Sequence, residues 1–494
     1  MAFSRMLMGC TAPLALAGCA AGGLTNTAPV TPGQAAPISV TERQQGSEAR
    51  TGILNEYNGA YTRGPTGYVT NVARRIAVQS GLSSDPGAFT VTVLDSSVDN
   101  AFATPGGYVY VTRGLLALMN DEAELAAVLG HEVGHVAARH SQKRQAAAQR
   151  NSIFGALGQV LAGAVLGDSG FGQLLGRAAG TGSQLATLGY SRSQESQADQ
   201  LGVDYLNGAE YDTDALASML TSLNSQQQLD QQISGDTRSV PAWASTHPQS
   251  GERIQAALAE ARRIGGTEQP RNRDAYLSAI DGLLYGDNPD NGIIDGRDFL
   301  HPKLGIAFTI PQGAQMQNNA QAVTISGQNM QAQFGTGSYS GSLPNYIQQV
   351  LKSLGGSGAT LSGGQVQRTT INGFPTAYAQ TRASTQSGSV DVTIFAYEAS
   401  KSRAYHFVVL TPAGQWLGTA QGMVQSFRKL SNADASKVKP RYVRIVTVKS
   451  GDTASSLAAR MAFDDDQLQR FYVLNGIPQG ATLHTGDKVK IVTY

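Results

Sequence analysis

Residues 120–143 read NDEAELAAVLGHEVGHVAARHSQK. Asp121, followed three residues later by Glu124, sets up a capping box, and Leu125, Val128, Leu129, Val133 and Val136 recur at helical spacing. The segment therefore predicts one helix from Asn120 to Lys143. His131 and His135 stand four apart, so their side chains rise on one face about a turn from each other. That spacing suits two corners of a tetrahedral zinc site, with Glu132 beside the first ligand and placed to take a proton from an attacking water. Two solvated histidines on an exposed helix would share the spacing, so the reading needs a third ligand.

One is on offer some sixty residues downstream, in Ser193-Gln194-Glu195-Ser196-Gln197-Ala198-Asp199. Glu195 and Asp199 are again four apart in a helical run, so Glu195 can reach the metal while Asp199 fixes a ligating histidine from behind. A longer zinc motif, with glycine at 138 and histidine at 141, is excluded because those positions are Ala138 and Ser141. His140 lies about 140° around the helix from His135, which predicts a surface histidine pointing away from the metal.

Four elements in order resemble the HtpX/BepA group of gluzincin metallopeptidases, related to the CAAX prenyl proteases. They are Asn100-Ala101-Phe102-Ala103-Thr104-Pro105-Gly106-Gly107, the His131–His135 helix, Glu195 to Asp199, and Thr246-His247-Pro248 followed by Arg253. The resemblance implies one zinc per chain on His131, His135 and Glu195, with Glu132 as base. It implies that His247 stabilises the oxyanion or serves as a reversible extra ligand, and that Arg253 supports that loop or the oxyanion. Asn100, Ala101, Phe102 and Ala103 would bind the substrate backbone. The chain departs from HtpX itself in lacking a stretch of about 20 apolar residues after the first twenty positions.

The rest of the sequence sets the context. At 494 residues the chain predicts several domains. Its 37 basic residues against 36 acidic leave no field to recruit nucleic acid. Both cysteines, Cys10 and Cys19, fall in the first twenty residues, so no disulfide framework is available to the folded part. Arg5, the apolar run Met6 to Leu16 and the tetrapeptide Leu16-Ala17-Gly18-Cys19 resemble a lipoprotein signal, implying a signal peptide over 1–18 and a lipid on Cys19. Ala20 after that cysteine, rather than Asp, resembles lipoproteins sent on to the outer membrane, which implies the periplasmic face of a bacterial outer membrane. Residues 19–40, rich in glycine and proline, read as a tether.

The fold class expected is multidomain α+β. A mainly helical zincin-type (gluzincin) domain with a small β-sheet covers 41–265, and a Gly-, Asp- and Asn-rich linker covers 266–298. An α+β domain similar in pattern to the PsbP-type sandwich covers 299–432. The last segment, 440–494, resembles a small βααβ LysM module through Gly451-Asp452-Thr453 and Leu474-Asn475-Gly476; the resemblance implies binding to peptidoglycan. Ala454 stands where such modules carry a large apolar residue, and Phe463 to Tyr472 reads as irregular. Residues 152–190, dominated by Ala, Gly and Leu, read either as a helical hairpin packed on the first domain, the preferred choice, or as a lid. The function expected is hydrolysis of peptide bonds in misfolded or unassembled envelope proteins. Cleavage of peptidoglycan crosslinks and a tethered chaperone or wall-binding adaptor are the alternatives.

Overall fold

The computed structural model describes residues 30–144, 190–234, 243, 247, 251–318, 322–354, 360–361, 364–385 and 388–494. The signal with Cys19 and residues 152–189 lie outside them. Among the described residues no helix is long and apolar enough to cross a membrane.

Helix α1 (Val40–Glu56) begins at a capping box between Ser39 and Glu42, and α2 (Thr66–Ala77) buries Val69, Val72, Ala73 and Ile76. A three-stranded sheet follows, built from β1 (Thr90–Leu94), β2 (Ala101–Thr104) and β3 (Tyr108–Thr112). β3 is central, parallel to β1 and antiparallel to β2, which leaves β2 on an edge. The turn between β2 and β3 passes through Gly106 and Gly107, both at positive φ. A Cβ on Gly106 would stand 2.5 Å from the Glu42 carbonyl, so the sheet docks on α1 only with glycine there.

Helix α3 (Arg113–Leu118) leads into α4 (Glu122–Ala137), in which every residue but Val136 is buried. A helix covered on all sides needs no polar face, and the Ala- and Leu-rich sequence before His131 supplies none. Around it stand α5 (Arg192–Gly208), α6 (Ala215–Ser234) and α7 (Gly251–Ile264).

The segment expected to be a linker is folded. Residues 266–298 contain α8 (Arg273–Ile280), which buries Tyr276, Leu277 and Ile280, then β4 (Leu284–Tyr285) and β5 (Ile293–Asp295). Its glycines are turn residues: Gly266, Gly282, Gly286, Gly292 and Gly296 all have positive φ. β5 also moves the start of the α+β domain ahead of 299, because it pairs with β6 (Asp298–His301), which pairs with β7 (Ile306–Thr309).

The α+β domain continues through β8 (Gln315–Asn318), β9 (Ala322–Gly327), β10 (Met330–Ser338), α9 (Leu343–Leu354), β11 (Thr360–Leu361), β12 (Gln367–Ile371), β13 (Phe374–Thr385), β14 (Gly388–Ser400) and β15 (Arg403–Pro412). It closes with α10 (Gln421–Ser426) and β16 (Arg428–Lys429). Alternation along the strands sorts the side chains into two cores. Val392, Ile394, Val408 and Leu410 face α9, while Phe395, Tyr397, Phe407 and Val409 join Phe308, Phe334 and Phe427 on the other side.

After α11 (Asn432–Lys437), the final residues form β17 (Arg441–Thr447), α12 (Ala454–Ala458), α13 (Gln467–Asn475) and β18 (Lys488–Thr493). Helix α13 occupies most of the stretch expected to be irregular. This β-α-α-β unit is not set apart from the peptide chain before it. β4 joins its hairpin as a third strand, giving the order β18-β17-β4. Lys490, fully buried, donates from Nζ to the carbonyls of Ala117, Leu118 and Met119 at 2.8, 3.1 and 2.6 Å. Those carbonyls end α3, where a cation meets the negative end of the helix. Arg273 adds bonds to the carbonyls of Asn120 and Lys488. Burial lowers the Lys490 ammonium to about 7, with Glu124 opposing that shift.

Lys490→Met fills the same space with no donor, strands the buried carbonyls of Ala117 and Met119 just ahead of α4, and leaves Leu118 O only the Asn120 amide. It should lower the unfolding free energy by about 2–3 kcal/mol. Urea unfolding followed in the full chain checks this, and an unchanged midpoint would mean that the C-terminal unit folds apart from the rest.

Candidate metal centre

Helices α4 and α5 build the site by lying unusually close. Gly130 and Gly134 on α4 meet Gly202 and Ala198 on α5: a Cβ on Gly134 would be 3.3 Å from the Ala198 carbonyl, and one on Gly202 would be 3.2 Å from His131 N. This approach carries Glu195 to the two histidines of α4. His131 Nε2 and His135 Nε2 are 3.0 Å apart, and Glu195 Oε1 is 3.4 Å from His135 Nε2. His247 closes the ring, with Nδ1 3.0 Å from Glu195 Oε1 and 3.2 Å from His131 Nε2.

All four side chains are buried, and their facing atoms lie within 4.8 Å of one another. Three imidazole nitrogens and a carboxylate oxygen around one point have too few protons to share among them, so lone pairs face each other unless a cation stands between. Nitrogen and oxygen donors in this number fit zinc. Burial, with His131 and His247 close by, pushes His135 well below the usual histidine range, which keeps its ring a neutral donor. Burial opposes a charge on Glu195 as well, yet its bonds to His135 and His247 hold it far below the usual carboxylate range.

Each ligand candidate is held from behind. Asp199 Oδ1 is 2.9 Å from His131 Nδ1. Arg253 donates to both Asp199 oxygens at 2.8 and 2.7 Å and stands 2.8 Å from Glu195 Oε2, so it braces the acidic pair rather than lining open space. His140 does not point to solvent as its helical angle predicts. The α-helix ends at Ala137, Arg139 takes a left-handed conformation (φ 52), and the chain swings the buried His140 back to put its Nδ1 2.8 Å from His135 Nδ1. Its other nitrogen is 2.9 Å from Gln197 Oε1. Burial lowers His140 to about 4, so the neutral ring can accept from His135 Nδ1–H and pass its own N–H to Gln197.

Glu132 faces the same space. Burial raises its pKa, with His247 and His131 opposing, and Trp243 Nε1 donates to its Oε1 at 3.1 Å. His247 Nε2 is 3.5 Å from the same oxygen, and the Trp243 ring stacks on His247 at 4.7 Å. Tyr190 stacks on His135 at 3.7 Å. Neither aromatic was found from sequence. Only the scarcity of tryptophan, two in the chain, hinted at Trp243.

The Asn100–Ala103 segment lies nearby but outside the cluster. Asn100 Nδ2 donates to the Tyr57 hydroxyl, and Phe102 stacks on Tyr110, so these side chains serve packing. The link to the site runs through the backbone, where Asp99 O accepts from Trp243 N at 3.1 Å.

Residues 64–261 match the model of Peptidase family M48. This segment is an M48 peptidase domain. The chain is 31% identical over 225 residues to the mitochondrial metalloendopeptidase OMA1 of Schizosaccharomyces pombe, covering 43% of this chain and 59% of that one. It is 29% identical over 214 residues to a putative beta-barrel assembly-enhancing protease of Vibrio cholerae, covering 43% and 42%. The Escherichia coli K12 beta-barrel assembly-enhancing protease is 26% identical over 216 residues, with the same coverage. The chain thus spans about half the length of the curated relatives it matches. Among solved structures, a cyanobacterial PsbP from Synechocystis aligns at 10% identity over 30% of this chain and 93% of that one, with a TM-score of 0.22.

Because His140 sets the tautomer and tilt of His135, His140→Ala should weaken zinc retention by about 10-fold or more. Competition with a chelating dye measures it, and an unchanged affinity would reduce His140 to a packing residue.

Proposed function

We propose that the protein is a zinc-dependent endopeptidase that cleaves misfolded or unassembled envelope proteins at the periplasmic face of the outer membrane. The observation that carries this reading is the convergence of His131, His135, Glu195 and His247 beside a buried glutamate of raised pKa. His131, His135 and Glu195 would hold the zinc. When bound, zinc supplies Lewis acidity, polarising a peptide carbonyl and making water acidic enough to lose a proton near neutral pH.

Glu132 takes that proton and returns it to the leaving amine. Its burial suits both halves of the task, since a raised pKa lets the carboxyl hold the proton long enough to deliver it. The Trp243 indole fixes which oxygen faces the reaction. An extended substrate would lie along the outer edge of β2, adding a strand to the sheet through backbone bonds. Arg253 and Asp199 keep the ligands in register. His247 is best read as a fourth ligand that withdraws to admit substrate, because its Nδ1 points at the same spot as the ligand atoms.

The wider context rests on sequence resemblance. A lipid on Cys19 would tether the enzyme to the membrane. The C-terminal unit would hold it near peptidoglycan, and the exposed loops around Gly451 and Gly486, joined by bonds between Val448 and both Gly486 and Asp487, are available for that role.

Glu132→Gln should keep zinc and fold but cut casein turnover by about 10²–10⁴-fold. His131→Ala should lose zinc as well. A wild-type protein that binds zinc yet cleaves casein no faster than Glu132→Gln would favour a chaperone or adaptor, and digestion of sacculi in its place would favour a crosslink endopeptidase. His247→Ala should raise basal cleavage while zinc stays near one per chain; a fall in turnover would instead make His247 a stabiliser of the oxyanion.

A further inference from the structure

The α+β domain carries a groove of ≈ 680 Å³ that belongs to no part of the metal centre. Its floor is a pair of cross-strand rings, Tyr378 on β13 and Phe395 on β14, stacked at 5.0 Å with planes 8° apart. One wall is Trp416, a large side chain left 36% exposed.

The display of that tryptophan is built rather than incidental. Trp416 sits at φ 51, a left-handed conformation that glycine adopts freely and a bulky residue does not. Both of its backbone groups are tied down. Its N–H donates to Asp391, which is wholly buried, and its carbonyl accepts from the Thr411 hydroxyl. Asp391 also takes Gly414 N–H and the Arg382 guanidinium, whose centre stands 5.6 Å from the Trp416 ring. Strain kept in place by a dedicated network at an exposed aromatic is a mark of a ligand-contacting position.

The polar lining narrows the ligand. Gln380, Gln415, Gln421 and Gln425 line the groove, and among the described residues their side-chain amides have no hydrogen-bond partner. Gln421 and Gln425 stand a turn apart on α10, on one face. Each amide offers two donors and an acceptor. No lysine, arginine, histidine, aspartate or glutamate lines the groove, and the Arg382 guanidinium beside Trp416 is already paired with Asp391, so no free charge there selects a phosphate, a carboxylate or a cation. Aromatic faces flanked by neutral amides match a ligand with apolar C–H faces and a rim of hydroxyls that both donate and accept.

We propose that this groove binds an uncharged saccharide chain, with Trp416 as a stacking platform and the glutamines on the ring hydroxyls. The site is separate from the C-terminal unit and independent of the peptidase chemistry.

The chain has two tryptophans, so ¹⁵N-indole labelling of the full-length protein gives two side-chain signals, and Trp416→Phe assigns them. Maltotetraose, chitotetraose and an uncharged hexapeptide are titrated separately to about 10 mM, past the weakest affinity that would matter. At least one saccharide should shift the Trp416 signal saturably and leave Trp243 in place. Replacing Gln421 and Gln425 together by alanine should weaken that binding about 5-fold or more with the ligand-free spectrum unchanged. Saccharide captured by the C-terminal unit alone would leave Trp416 unmoved. No shift of Trp416 with either saccharide, or a shift with the hexapeptide only, overturns the proposal.

Discussion

The site depends on how closely α4 and α5 approach. Gly130 and Gly134 on one helix, with Gly202 and Ala198 on the other, remove the side chains that would hold the two axes apart. Only at that separation does a glutamate on α5 share a point with two histidines on α4. The glycine inside the His131–His135 motif is therefore a packing residue whose consequence is chemical. A larger residue there would push back α5, and with it both Glu195 and the Asp199 that steadies His131.

Burial of this much polarity needs a closed network, since an unpaired charge in a dry core costs more than its contacts return. Asp199 and Arg253 answer for His131 and Glu195, and His140 with Gln197 answers for His135. A second network steadies the other end of the same helix. Asp121 caps α4 and takes Arg271, while Glu124 accepts from Asn120 N, beside the carbonyls held by Lys490. The C-terminal unit thus bears on the catalytic helix from its N-terminal end, some way from the metal.

Much of the site was legible because its information is local. A four-residue step on a helix puts His131 with His135, and Glu195 with Asp199, whatever the rest of the fold does. Apolar alternation in stretches such as Ile306 to Pro311 and Val390 to Tyr397 is likewise local and readable without the rest of the fold. What failed was non-local. His140 was placed by continuing a helix past Arg139, a position with no glycine or proline to announce the turn. Residues 266–298 looked like a tether because turn glycines and linker glycines have the same composition. Lys490, two residues from Lys488 in an alternating strand, reads as solvent-facing, and nothing near it in sequence tells of the helix end it would cap. His247 was picked out only by motif order, since a histidine before proline carries no periodicity, and Trp243 and Tyr190 reach the site from outside the two motif helices.

The central claim is a single zinc on three histidine nitrogens and a carboxylate in the resting protein. X-ray absorption at the zinc edge on the purified chain, with metal content measured on the same sample, tests it most directly. The account predicts one zinc per chain with nitrogen and oxygen neighbours at about 2.0–2.2 Å and a histidine scattering pattern that weakens when His247 is replaced. A protein that takes up no zinc, or whose absorption spectrum is the same with and without Glu195, would contradict it.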